Sequence, residues 1–204
     1  MIESLYSNFR DILIMTWPMV CVSMIILVSL RVTYLFKNKK NFILYNEILM
    51  FFFAFYVLCL FQIVTSSDDS LLGGSNYIPF KEIFRYRLFS RLFFKNVVGN
   101  IILFLPYGYF VSRFLSKKNF FLTSFLVLLA SLTIECTQLS IGRVFDVDDI
   151  ILNLIGGILG YLLFIFFDRI YNALPKVLKS RVFLNIVFVL LFILFILGLI
   201  ILLA

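Results

Sequence analysis

The run from Val182 to Leu203, VFLNIVFVLLFILFILGLIILL, contains no charged residue. A helix needs roughly 20 apolar residues to cross the hydrocarbon core of a bilayer. Backbone polar groups at that depth must be satisfied within the segment, which favours the helix. Five more stretches, with at most one charged residue each, are long and apolar enough to span: Ile12–Phe36, Phe42–Val64, Val97–Leu115, Phe120–Ile141 and Ile150–Phe167. The chain as a whole is 63% hydrophobic and 14% charged. Soluble domains lie nearer half and a quarter. These patterns predict an all-α fold, a polytopic transmembrane helical bundle of about six spans whose first partner is the lipid bilayer. The first span reads as uncleaved, since no Ala-x-Ala-like site follows it.

The net charge of +7 then reports orientation, and no nucleic-acid partner is expected. The connections between spans 1 and 2, 3 and 4, and 5 and 6 carry Arg31, Lys37, Lys39, Lys40, Arg113, Lys117, Lys118, Arg169, Lys176, Lys179 and Arg181. The opposite side carries Arg10, Lys81, Arg85, Arg87, Arg91, Lys95 and Arg143. The positive-inside rule assigns the richer side to the cytoplasm. Both termini and the Asp-rich segment 142–149 are then expected outside the cell. Three cysteines within apolar runs imply no disulfide, and with no histidine the commonest general base is absent.

Between spans 2 and 3 lies KEIFRYRLFSRLFFK, Lys81 to Lys95. On a helix its five basic residues share one arc, with Ile83, Tyr86, Phe89, Phe93 and Phe94 opposite. This pattern predicts an amphipathic helix in the membrane interface. A plainer account has the same cations snorkelling to water.

The charges that need an explanation lie in ECTQLSIGRVFDVDDIILNLIGGILG, residues 135–160. Glu135 and Gln138 are three apart and share a helix face. A carboxylate there must face a cavity, find a cation such as Arg143, or remain protonated. Asp146, Asp149 and Asn153 fall on one helical stripe, which continues to Gly156 and Gly160, a small-xxx-small pair that admits a neighbouring backbone. Asp148 points away from that stripe and reads as a cap for its own helix. In span 3, Asn96 and Asn100 share a face, and Pro106 is expected to kink the helix. Interhelical hydrogen bonds average only about 0.6 kcal/mol in membranes, a small return for so many ionisable groups. A water-accessible polar pocket is the expected outcome.

Three motifs in order resemble the VanZ-like family of membrane proteins. They are Asn76-Tyr-Ile-Pro79-Phe80, the segment Asn100 to Gly108 with Pro106, and Glu135-x-x-Gln138 followed by Arg143, Asp146, Asp149, Asn153, Gly156 and Gly160. The resemblance divides the chain into an N-terminal span and cytoplasmic loop (1–44), a VanZ-like membrane domain (45–168), and a basic loop with a C-terminal transmembrane anchor (169–204). It implies a bacterial cell-membrane protein connected with teicoplanin resistance, and it implies no mechanism.

Two functional readings stay open. In the first, an outward-facing pocket formed by Asn76, Asn100, Gln138, Arg143 and Asn153 binds an amphiphile. The candidate ligands are a glycopeptide or lipoglycopeptide antibiotic and a lipid-linked cell-wall precursor, with Arg143 pairing to phosphate or carboxylate. In the second, a membrane enzyme acts on a lipid-linked phosphate. Its catalytic groups are Glu135, Arg143, Asp146 and Asp149, with a divalent cation such as Mg²⁺ held by Asp146 and Asp149.

Overall fold

The computed structural model describes residues 2–39, 41–66, 74–115 and 118–203. Lys40, Lys117 and the stretch 67–73, used in counting charge and tracing the second connection, lie outside the described residues, as does the side chain of Arg10. The described residues are mostly helical: α1 (Ile2–Lys37), α2 (Leu44–Ser66), α3 (Lys81–Arg85), a π-helical turn (Phe93–Val98) leading into α4 (Gly99–Phe114), α5 (Phe120–Ser140), α6 (Val147–Ala173) and α7 (Arg181–Leu203). Among the described residues six helical stretches are long and apolar enough to cross a membrane, at Trp17–Lys37, Leu44–Val64, Phe93–Phe114, Phe120–Ser140, Val147–Ala173 and Arg181–Ile201. Each coincides with one of the six expected spans.

The helices fall into two compact units. One comprises the described residues of Met1–Ile63 and Leu174–Ala204, the other Val64–Ala173. In the first, α2 packs on α7 through rings: Phe51, Phe52 and Phe55 meet Phe192 and Phe195 edge-on at centroid distances of 5.0–6.1 Å. Asn185 Oδ1 accepts from the Tyr45 N–H at 3.1 Å. Arg31 clasps Glu47 with two hydrogen bonds, Nε to Oε2 at 2.9 Å and Nη2 to Oε1 at 3.0 Å, a bidentate geometry that suits a guanidinium and a carboxylate.

The second unit is built on close backbone contact. A Cβ on Gly156 would fall on the backbone of Ile101, and one on Gly160 would fall on Leu105. Gly108 of α4 meets the backbone of Gly157, whose other side lies against the Val127 side chain of α5. Lipid gives helices no hydrophobic reason to associate, so association depends on dispersion contact, which small residues maximise. The Gly156–Gly160 stripe therefore does what its spacing predicts. Phe104 and Val127 fill the remaining core. At one end of this bundle Lys118 Nζ pairs with Asp168 Oδ2 at 2.6 Å. At the other end α4 and α6 begin and α5 finishes, and the polar residues gather there.

The stretch 81–95 is not the continuous interfacial helix that its periodicity predicts. Between spans 2 and 3 there is helix, but α3 stops at Arg85. Tyr86 is extended, Phe89 takes a left-handed φ of 61°, and helix restarts after Ser90. Ser90 Oγ accepts from the Phe93 N–H at 3.1 Å, a local cap that a Ser offers and the charge pattern ignores.

Candidate functional site

The three polar motifs meet at this end of the second unit. Asn76 joins the segment before α6 as a short parallel bridge. Its N–H donates to the Phe145 carbonyl at 2.8 Å, and its own carbonyl accepts from Val147 at 3.1 Å. Its side-chain amide donates to Asp146 Oδ1 at 2.8 Å, and its Oδ1 accepts from the Ile78 N–H at 3.2 Å. Ser75 Oγ accepts from the Phe145 N–H at 3.3 Å. The first motif is thus stitched to the third over about 70 positions.

Asp148 is the centre of the arrangement. Only 1% of it is exposed. Its Oδ2 accepts from the backbone N–H groups of Glu82 at 2.7 Å and Ile83 at 3.1 Å, and its Oδ1 from that of Phe80. A buried carboxylate is costly unless hydrogen-bonded, and these N–H groups at the start of α3 have no partner within their own helix. Each defect removes the other. Asp148 therefore caps a helix, as its position suggested, but it caps α3 and not its own α6. Phe80 holds φ at 67°, a left-handed conformation that costs a non-glycine residue roughly 1 kcal/mol or more. The Asp148 bonds offset that cost.

Around this centre each expected residue has a definite place. Glu135, 1% exposed, accepts from the Asp146 N–H through Oε2 at 3.0 Å. Asp146 Oδ1 accepts a second bond, from the Asp148 N–H at 2.9 Å. The Asn100 amide donates to Asp149 Oδ1 at 2.5 Å. Asn153 reaches across to α5, donating to Ser131 Oγ at 3.0 Å. Gln138 Nε2 donates to the Val64 carbonyl at 3.2 Å, and the Arg143 guanidinium donates to the same carbonyl. Gly142, at φ +83°, makes the turn that folds Arg143 back.

Arg143 is the expectation most changed. Its sequence position suggests an ion pair with Glu135, yet among the described residues the two form none. Val64 lies in the last turn of α2, where carbonyls lack an intrahelical donor, so the guanidinium meets a backbone need first. Asp146, which precedes the span, has its carboxyl pushed above the usual aspartate range. Burial is the main cause, and the bonds from Asn76 and the Asp148 N–H act against it.

Of the expected side chains, Asn76 bonds to Asp146, Asn100 to Asp149 and Glu135 to the Asp146 N–H, whereas Gln138, Arg143 and Asn153 bond to Val64 and Ser131. Among the described residues no buried side-chain oxygen or nitrogen lacks a partner. Nor do the described residues contain a group of three or more acidic or cysteine side chains placed to hold a metal ion. Asp146 and Asp149 direct an oxygen at different amides, Asn76 and Asn100. A groove of about 330 Å³ lies elsewhere, along α5 at Leu129, Leu132, Thr133, Cys136, Thr137 and Ser140.

Periodicity misses two participants and the partner of a third. Ser75 and Ser131 have no charge to draw notice. The role of Asp148 has one readable signal: α3 begins at Phe80-Lys81 with no Ser, Thr, Asp or Asn to cap it, so an acceptor must come from elsewhere.

The fold and this knot together define a class: a multi-pass helical membrane protein whose central three-helix unit is closed at one end by a buried acid–amide network. Residues 42–168 match the family model described as VanZ/LLP1. The chain belongs to the VanZ/LLP1 family. No curated protein and no solved structure matches it.

Proposed function

We propose that this protein binds an amphiphilic ligand of the bacterial cell envelope at the knotted end of the VanZ/LLP1 unit, on the outer face of the membrane, and so confers resistance to teicoplanin. The ligand class is a lipoglycopeptide antibiotic or a lipid-linked cell-wall precursor. One observation carries the reading. Asp148 fixes the start of α3 with three backbone N–H bonds, which holds an exposed stretch of aromatic and basic residues rigidly at the membrane boundary. A preorganised amphipathic surface binds with less ordering cost than a mobile loop. The resemblance of the motifs to VanZ-like proteins supports the antibiotic as ligand.

The geometry favours binding over the enzyme reading. Glu135, Asp146 and Asp149 each accept a bond from within the protein, which makes them part of the platform beneath that surface.

The test is teicoplanin susceptibility of a host carrying empty vector, wild type or Arg143→Ala, with membrane abundance measured in parallel. Wild type raises the inhibitory concentration, Arg143→Ala lowers it at equal abundance, and chelators leave it unchanged. Equal susceptibility with wild type and vector overturns the antibiotic reading. An Ile141→Cys substitution on a Cys136→Ser background checks the outward face, because an impermeant thiol reagent must then label intact cells.

A further inference from the structure

We infer that the segment from Tyr77 to Phe94 is a docking surface for anionic phospholipid headgroups of the protein's own bilayer. The inference does not depend on the antibiotic reading. Phe84 is 82% exposed and Phe89 81% exposed, with Leu88, Leu92, Phe80 and Phe94 also open. A water-facing surface would not carry so dense an apolar patch. The next residues enter the span Phe93–Phe114, so the segment sits where the hydrocarbon core ends. At that depth its rings reach acyl chains while the cations reach phosphates.

The rings pair within the segment, Phe80 with Phe84 at 6.2 Å and Phe89 with Phe94 at 6.4 Å. The break at Tyr86 to Ser90 thus divides one expected helix into two aromatic clusters. Lys81, Arg87 and Arg91 stand exposed around them. Arg85 is engaged with Glu82 at 3.0 Å, which is the one acid in the segment. The surface is therefore strongly cationic, and charge complementarity selects a negative headgroup over a zwitterionic one. Phosphatidylglycerol presents that chemistry. The segment's own anchor, Asp148, is buried beneath it.

The experiment uses the purified full chain in uncharged detergent, titrated with phosphatidylglycerol or phosphatidylcholine of identical acyl chains and read by native mass spectrometry. Wild type should bind phosphatidylglycerol about tenfold more tightly, and the preference should fall several-fold on raising salt from roughly 50 mM to 500 mM. The variant K81Q/R87Q/R91Q, whose changes are confined to exposed side chains, should bind the two lipids within about twofold of one another. Inorganic phosphate at equal concentration should not displace the lipid. The inference is overturned by any of these results: equal binding of both lipids to wild type, a preference insensitive to salt, a preference retained by the variant, or full displacement by inorganic phosphate. The salt series on wild type decides the matter should the variant fail to fold.

Discussion

The Asn100 side-chain amide donates to Asp149 Oδ1 at 2.5 Å, joining the first turn of α4 to the first turn of α6. The bond closes the polar end of an interface that is otherwise glycine against backbone. Asn100→Leu keeps the volume and removes the donor. Leaving a buried hydrogen-bonding group without its partner costs about 1–3 kcal/mol. The variant should lose about that much stability, measured by unfolding in detergent. Asp149→Asn on the Leu background should add little further loss, because the pair acts as a unit.

Asp148→Ala should loosen a segment without dismantling the bundle. Three backbone donors lose their acceptor, at a cost of about 2–3 kcal/mol. The amides of Glu82 and Ile83 should exchange with solvent deuterium far faster, while those of Phe104, Leu152 and Tyr161 keep their protection. Equal acceleration in both places would show that Asp148 supports the whole unit and not α3 alone.

The glycines separate by environment. Gly156→Ala puts a methyl group into the backbone of Ile101, and overpacking of that kind costs about 1–3 kcal/mol. Gly198 lies in α7 with nothing within 4 Å of an added Cβ. Gly198→Ala should stabilise α7 by about 0.5–1 kcal/mol. Two chemically identical substitutions in transmembrane helices should therefore shift the midpoint of unfolding in opposite directions.

Acidity should favour the knot at Asp146. Burial raises its folded-state pKa above the unfolded value, so the folded protein binds more protons across that interval. Its contribution is complete below the ordinary aspartate pKa and is lost as pH rises through the raised folded value. Unfolding midpoints should fall as pH rises above the ordinary aspartate pKa of about 4, a limb that Asp146→Asn flattens. The Asn side chain stays neutral and can still accept the two bonds at Oδ1. A limb unchanged in that variant would assign it to another group.

The six spans and the Gly156–Gly160 contact were legible in the residues, for one reason. Hydrocarbon length and helical period act within a single segment, so sequence alone carries them.

What the sequence left open were choices among partners. Nothing local tells Arg143 to prefer the Val64 carbonyl over Glu135, or Asp148 to cap α3 and leave α6. Both choices satisfy backbone groups that only become unpaired, and only become neighbours, once the helices have packed. The break at Tyr86 has the same origin: periodicity reads side chains, whereas Ser90 and Asp148 act on backbone N–H groups. Composition and period thus determined that the chain crosses a membrane as a helical bundle. The tertiary structure alone decided which donor meets which acceptor, because in a buried site every polar group must find a partner among whatever the fold brings within reach.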